Sequence, residues 1–246
     1  MANLRKEVFL LSKYMKKTLT ITTDLNDGFA ISQLHAVLVD HTFNGGVIEN
    51  HDVKSFSIIE GAYGIWQLIK YCPNNTVNLG IVDPGVGGSR YGIVIKTKNF
   101  WFVGPNNGLF YPAAKTNEIE AVWKIDESYF GKVSNTFHGR DVFIKTAILL
   151  AKNKKPDQFG CKKIHKKSLV QLNFKNGQIV HIDAYGNLKV WGRRTFNLPL
   201  VKTFSDVETG KPLVLSGSSD ILEIAINQSS AEKHFGVKLD QVLEKL

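Results

Sequence analysis

The sequence predicts an α/β N-terminal domain, a mostly parallel sheet flanked by helices, followed by a small C-terminal β-barrel domain. Three observations carry that expectation. Over the first two thirds, short apolar runs alternate with stretches of helical periodicity, the pattern of a sheet with helices packed on it. Several of the apolar runs end in loops rich in Asp, Asn and Gly, where open α/β sheets hold ligands. After about residue 168 the helical periodicity stops, and short β-rich runs recur between turns until Ala231. At 246 residues the chain has room for two domains. The expected division is 15–167 and 168–246, with residues 1–14 as an extension outside the fold.

The first strand is Leu19–Thr23, a β-branched run closed by Asp24, with Asn26, Asp27 and Gly28 as turn residues. Ile31, Leu34, Val37 and Leu38 give the next segment a helical face, which Gly45-Gly46 ends. Val47-Ile48 begins a short strand. Ser57 to Tyr71 predicts a helix capped by Ser57, with Glu60 in the capping-box position and Ala62, Ile65 and Ile69 on the buried face. The run from Thr76 to Val82 reads as a buried strand, and Asp83-Pro84 with Gly85, Gly87 and Gly88 turns it into a loop. Tyr91–Lys96 and Phe100–Val103 read as two more strands, and Gly104–Gly108 as a strand-end loop. Phe143–Ala151 is an apolar helix closed by Lys152, Asn153 and Pro156. The domain boundary is expected at 152–168. Beyond it the predicted strands are Leu169–Phe174, Gln178–Asp183, Leu188–Trp191, Leu213–Leu215 and Ile221–Ile226.

Composition excludes several classes of function. A hydrophobic share of 43% is that of an ordinary globular protein rather than a disordered chain. No apolar run approaches 18 residues, so no membrane partner is expected. Val8–Leu11 is too short for the core of a signal peptide. Cys72 and Cys161 have no metal-ligand spacing and, with that N-terminus, make the cytoplasm the expected compartment. The histidines form no H-x-x-x-H pattern, so no metal is expected. The net charge of +9 raises nucleic acid as a partner. The lysines are spread along the chain, however. The densest group, Lys162, Lys163, Lys166 and Lys167, lies in a connecting segment with no stacking platform, so no nucleic acid is expected.

Two dense stretches carry chemistry. In the loop after Val82, Asp83 and Arg90 flank the glycines. The loop lacks the Gly-Lys-Ser/Thr ending of a phosphate-binding loop. In Ser134-Asn-Thr-Phe-His-Gly-Arg-Asp141, an imidazole, a guanidinium and a carboxylate precede a helix. Asp83, Arg90 and His138 together supply the groups that hold and activate a water. On local grounds alone His138 is equally a cap or a satisfied buried ring.

The order of five motifs then resembles a known family. They are T-V-x-x-x-x-V-D-P-G-V-G-x-x-R at 76–90, V-G-P-N-N-G at 103–108, T-F-H-G-R-D at 136–141, I-D-A-Y-G-N at 182–187 and G-S-S-D-I-L-E-I-A-I-N at 217–227. Together they resemble the S-adenosylmethionine hydroxide adenosyltransferases, relatives of the fluorinase and chlorinase enzymes. The resemblance covers residues 18–246. It implies hydrolysis of S-adenosyl-L-methionine to adenosine and L-methionine by attack of an activated water on C5′, with no metal and no cofactor. It also implies a homotrimer whose sites lie between one subunit's N-domain and a neighbour's C-domain. The catalytic set carries over onto Asp83, Arg90 and His138. The halogenases have tyrosine at the positions of Asp83 and His138, so the acid and imidazole here favour hydroxide over halide.

The substrate-binding set implied by the resemblance is Asp24 and Asp27 for the ribose, and Phe56, Asn106, Phe137 and Gly139 around the nucleoside. From the C-terminal domain come Asp183 for the methionine ammonium, Tyr185, Asn187 and Asn227 near adenine, and Ser218 and Ser219 for the methionine carboxylate. Six of these have a plainer reading: Asp24 as a helix cap, Phe56 as a hydrophobic staple, Phe137 as core, Asp183 as a partner of His181, and Tyr185 and Asn187 as turn residues. The chain departs from the family where D-F-G reads Asp24-Leu-Asn26 and P-D-N-G reads Pro105-Asn-Asn-Gly108. Two alternatives are a 5′-halogenase that uses S-adenosyl-L-methionine and a non-catalytic protein that binds S-adenosyl-L-methionine or adenosine.

Overall fold

A computed structural model describes residues 17–217 and 221–244. The predicted N-terminal extension and the pair Ser218 and Ser219 lie outside the described residues. Seven strands form the larger sheet: β1 Leu19–Thr23, β2 Val47–Asn50, β3 Val77–Ile81, β4 Gly92–Thr97, β5 Trp101–Pro105, β6 Ile119–Ile125 and β7 Cys161–Ile164. Their order is β2-β1-β3-β5-β4-β6-β7. The ladders β2-β1, β1-β3 and β3-β5 are parallel, whereas β5-β4, β4-β6 and β6-β7 are antiparallel. Five of the strands therefore run one way, and β4 and β7 run against them.

Helices cover both faces. On one face α1 (Gly28–Asp40) and α4 (Ile144–Ala151) lay Leu34, Leu38, Ile144, Ala147 and Ile148 on Leu19, Ile21, Val77, Leu79 and Ile81. These strand residues alternate, so one face of β1 and β3 is apolar up to Thr23 at the end of β1. On the other face α2 (Ile58–Leu68) and α3 (Tyr111–Thr116) pack Ala62, Ile65, Ala113 and Ala114 against Phe102 and Phe110. There β1 and β3 carry Thr20, Thr22, Asn78 and Gly80. Thr20 Oγ1 donates to Asn78 Oδ1 at 2.9 Å, and a Cβ on Gly80 would lie 2.6 Å from Leu109 Cδ2.

The chain moves from β1 to β2 on one side and then returns to place β3 on the other. A crevice between β1 and β3 opens at their carboxyl ends, the switch point at which such sheets bind ligands. Thr23 Oγ1 donates to the carbonyl of Ile81 at 2.9 Å and fixes the two strand ends together.

The smaller sheet is antiparallel. Its strands are β8 Ile179–Ile182, β9 Leu188–Val190, β10 Pro212–Ser216 and β11 Leu222–Ile226, in the order β10-β11-β9-β8. Among the described residues no strand ladder joins β8 to β10. The short helix α5 (Ala231–Phe235) buries Ala231 against this sheet. Helix α2 meets the smaller sheet at an aromatic joint. Trp66 of α2 sits edge-on to Trp191 at 4.7 Å, and the Tyr63 ring stacks on His181 at 5.7 Å.

The structure corrects three local expectations. Leu169–Phe174 is not a strand. Leu169, Leu172 and Phe174 pack onto the N-terminal core, which accounts for the apolar residues of this run without a ladder partner. The segment 152–168, expected as a connector, contains β7, which extends the larger sheet beside β6. Glu60 does not complete the capping box. Ser57 Oγ accepts from the Glu60 N–H, but the Glu60 carboxylate turns to the Lys54 N–H and to His181 Nδ1, each at 2.7 Å.

Candidate active site

Asp83 stands two residues past β3 and begins a double turn, in which the Val86 N–H donates to the Asp83 carbonyl and the Gly88 N–H to that of Gly85. Of the glycines here only Gly87 has positive φ, +73°. A Cβ at Gly87 would also lie 2.3 Å from the carbonyl oxygen of Asn135. Gly87 thus lets the Asp83 loop lie against the segment that carries His138. Gly139 does the same from the other side, where a Cβ would lie 2.7 Å from Ile81 Cγ2.

The Arg90 side chain folds back over this loop. Its Nε donates to Asp83 Oδ1 at 3.0 Å and its Nη2 to Asp83 Oδ2 at 2.5 Å, a bidentate pair. Nη2 also lies 2.9 Å from His138 Nδ1, and Nη1 lies 3.4 Å from Glu127 Oε1. The side chains of Arg90, Asp83 and His138 are 10%, 7% and 8% exposed, so the group is shielded from bulk water. The buried ring of Phe143 supports it, 5.3 Å from the Arg90 guanidinium carbon.

His138 stands at the start of a π-helical turn, Gly139–Phe143, that leads into α4. Asp141 anchors the segment before it. Its carboxylate accepts from the Ser134 N–H at 2.8 Å and from Arg140 Nε and Nη2 at 2.7 and 2.9 Å. The Arg140 hydrogen bond holds the Asp141 carboxyl below the ordinary carboxylate range. Burial opposes this, and the Ser134 N–H adds to it. Arg140 Nη1 reaches Gln33 on α1 at 2.6 Å, which ties the segment to the sheet's helical layer.

Asp24, Asp27, Phe56, Asp83, Phe137, His138 and Gly139 line one cavity of about 290 Å³ at the carboxyl ends of β1 and β3. Asn26 and Thr136 also line it. Asp24 Oδ2 accepts from the Phe56 N–H at 2.7 Å, which holds Phe56 at φ +67° with its ring 73% exposed. The helix-cap reading falls on Asp27, not Asp24: Asp27 Oδ1 accepts from the Phe29 N–H at the start of α1.

The C-terminal residues gather elsewhere. Asp183, Tyr185, Asn187 and Asn227 line a separate cavity of about 680 Å³ with Phe204 and Glu223. Asp183 Oδ1 accepts from the N–H groups of Tyr185 and Asn187, and Oδ2 from Asn187 Nδ2. Burial pushes the Asp183 carboxyl up. The Asn187 hydrogen bonds, Lys189 and the Tyr185 N–H outweigh that and leave it below the ordinary range. His181 pairs with Glu60 rather than with Asp183. Asn227 Nδ2 donates to the Val207 carbonyl at 2.8 Å. The two cavities share no lining residue within one chain.

Asn106 joins neither cavity. Its Nδ2 donates to the Ser168 carbonyl at 2.9 Å and its Oδ1 accepts from the Val170 N–H at 3.0 Å. Both ends of this buried amide are used to fasten the interdomain segment. Two residues passed over in the sequence stand out. Glu223, a carboxylate within the apolar run L-E-I-A-I, is 7% exposed and pairs with Lys189 at 2.7 Å. Glu127 reaches both Arg90 and His138, yet nothing in its surroundings, I-D-E-S-Y, marks it. Among the described residues no group of three His, Cys, Asp or Glu side chains is arranged to hold a metal ion. No helix among them is long and apolar enough to cross a membrane.

Residues 19–160 match the SAM hydroxide adenosyltransferase N-terminal domain and residues 177–244 the corresponding C-terminal domain. Several relatives carry the name (R)-S-adenosyl-L-methionine hydrolase. That of Salinispora tropica is 31% identical, with 89% of this chain and 94% of its own length covered. That of Thermus thermophilus is 27% identical, with 85% and 91% covered. That of Methanocaldococcus jannaschii is 34% identical over 69% of this chain, and the match spans 65% of the relative's length. A crystal structure of an uncharacterized conserved protein from Thermotoga maritima superposes with a TM-score of 0.81 at 27% identity, covering 90% of this chain and 97% of that one. A crystal structure of a conserved hypothetical protein from Thermus thermophilus gives 0.78 at 26% identity, with 91% and 97% covered.

Proposed function

The chain belongs to the SAM hydroxide adenosyltransferase family, and we propose that it hydrolyses S-adenosyl-L-methionine to adenosine and L-methionine. The observation that carries this reading is the buried Asp83–Arg90–His138 group, in which Asp83 and His138 line the β1/β3 cavity and Arg90 bonds to both of them. A sulfonium leaves without protonation, so the reaction needs help only at the water. A carboxylate, an imidazole and a fixed cation supply it. Asp83 and His138 orient the water and take its proton, while Arg90 stabilises hydroxide character. General-base help of this kind is worth about 10²–10⁴-fold. The water attacks C5′ in line with the departing sulfur, from roughly 3–3.5 Å.

Asp24 has one carboxylate oxygen engaged by Phe56, and the other is suited to a ribose hydroxyl. Phe56 and Phe137 flank the nucleoside. Asp183 takes the methionine ammonium, with Asn187 and Asn227 at the adenine and Tyr185 beside it. Ser218 and Ser219 remain assigned to the methionine carboxylate on the family resemblance alone. Within one chain these groups lie in different cavities, which supports a homotrimer that joins one subunit's β1/β3 cavity to its neighbour's C-terminal cavity. The exposed rings of Phe56 and Tyr185 at the two cavities fit such a junction. The smaller sheet is read as the core of the expected barrel, and the cytoplasm as the compartment. No cofactor enters this reading.

The test is chromatography of S-adenosyl-L-methionine after incubation with pure protein, with and without chloride or fluoride. Both sulfonium epimers are assayed, since the relatives are named for the (R) form. Adenosine and methionine in halide-free buffer are expected. A halide-dependent 5′-halogenated nucleoside makes the protein a halogenase instead. Tight binding without product makes it a binding module.

A further inference from the structure

Arg90 donates hydrogen bonds in every protonation state. At 2.9 Å from Nη2, His138 Nδ1 therefore accepts, and the neutral ring carries its proton on Nε2. In that tautomer the ring can donate to a water in the cavity but cannot take its proton. A base needs the other tautomer, with the proton on Nδ1 and a lone pair on Nε2. Nδ1–H then requires an acceptor, and Arg90 offers none. Among the described residues the carboxylate paired with Nδ1 is Glu127, with Oε1 at 3.3 Å. Glu127 Oε1 is also 3.4 Å from Arg90 Nη1, so it contacts both the ring and Arg90.

We propose that Glu127 is a positioning residue that selects the base-competent tautomer of His138 and receives its proton. This rests on the hydrolase reading. In the step, an O–H bond of water breaks as the C5′–O bond forms. The C5′–S bond breaks with its electron pair left on the methionine sulfur. The water proton goes to Nε2, and the Nδ1 proton goes to Glu127 Oε1. The ring ends with Nε2–H and with Nδ1 accepting from Arg90, the arrangement of the present geometry.

A second cavity receives the released proton. It measures about 420 Å³, is lined by Arg90, Glu127, Asp126, Ser128, Lys124 and Lys162, and shares no residue with the substrate cavity. The Glu127 side chain is 30% exposed, whereas His138 is 8% exposed. A buried base thus passes its proton through a half-open carboxylate to solvent on the side away from substrate. The charged groups that bear on the step are Asp83, Arg90 and Glu127 at the ring, and Asp126, Lys124 and Lys162 along the outlet.

The test compares wild type with Glu127→Gln and Glu127→Asp. For Glu127→Gln, kcat falls by about 10–100-fold, as for other partners that orient a functional histidine, while KM for S-adenosyl-L-methionine stays within about twofold. Glu127→Asp recovers part of the loss, and formate in the buffer raises kcat of Glu127→Gln but not of wild type. The imidazole ¹⁵N signals of His138, assigned by their loss in His138→Asn, show an Nδ1–H fraction beside the Nε2–H form in wild type, and that fraction is lost in Glu127→Gln. An unchanged kcat together with unchanged ¹⁵N signals overturns the proposal. If wild type forms no adenosine, the hydrolase reading fails. The ¹⁵N comparison then decides alone: a shift in Glu127→Gln upholds the coupling of Glu127 to His138, and none refutes it.

Discussion

Arg90 and Asp83 meet through two parallel hydrogen bonds, Nε to Oδ1 at 3.0 Å and Nη2 to Oδ2 at 2.5 Å, with neither side chain more than 10% exposed. The planar fork leaves an N–H of Nη2 for His138 and one of Nη1 for Glu127. Lysine keeps the charge but cannot make this set of contacts. For Arg90→Lys, kcat is expected to fall about 10²–10³-fold, the usual cost of losing a preorganised donor at a developing oxyanion. Arg90→Ala strands a buried carboxylate and is expected to cost about 3–5 kcal/mol, read from urea unfolding.

Asn106 separates structural from substrate roles. Its amide holds the Ser168 carbonyl and the Val170 N–H, and it lines neither the β1/β3 cavity nor the C-terminal one. Asn106→Ala is expected to lower stability by about 1–3 kcal/mol through the loss of these two hydrogen bonds. KM for S-adenosyl-L-methionine stays within about twofold, because an isolated fastening contact does not touch substrate. A large rise in KM with unchanged stability would return Asn106 to the binding set.

The layout was legible where periodicity and turn chemistry agreed. The β1 and β3 strands, the capped helix after Ser57 and the loops at Asp24 and Asp83 all follow from local pattern. The approach of Asp83 to His138 was legible only through motif order, since it depends on Gly87 lying against Asn135. Three features needed the third dimension. Leu169–Phe174 is apolar because it packs on a core, β7 hides in a lysine-rich stretch, and Glu60 leaves its cap for His181. Glu127 sits in an ordinary turn, and only the fold places it beside Arg90 and His138.

Asp141 predicts a pH dependence with a definite sign. Its carboxyl is held below the ordinary range, first by Arg140. A depressed carboxyl adds stability that is complete above the unfolded value, roughly 3.9, and is lost as pH falls through the lower folded value. Asp141→Asn is therefore expected to be about 1–3 kcal/mol less stable at neutral pH, through weakened bonds to Arg140 and the Ser134 N–H. The gap from wild type closes below about pH 4. Unfolding curves at stepped pH check this, and a gap that widens in acid would contradict it.

A site shared between subunits predicts complementation. His138→Ala and Asp183→Asn each lose activity alone. Mixed after partial unfolding and refolding, they regain it, because some junctions pair an intact His138 with a neighbour's intact Asp183. Sedimentation of the active fraction is expected to show a trimer. Mixtures that stay inactive while forming trimers would place both residues in one subunit's site.

The central claim is that a water held by Asp83, Arg90 and His138 attacks C5′. The most direct measurement is mass spectrometry of adenosine formed from S-adenosyl-L-methionine in ¹⁸O-water. One ¹⁸O at the 5′ oxygen is the predicted result, and adenosine without label at that oxygen would contradict it.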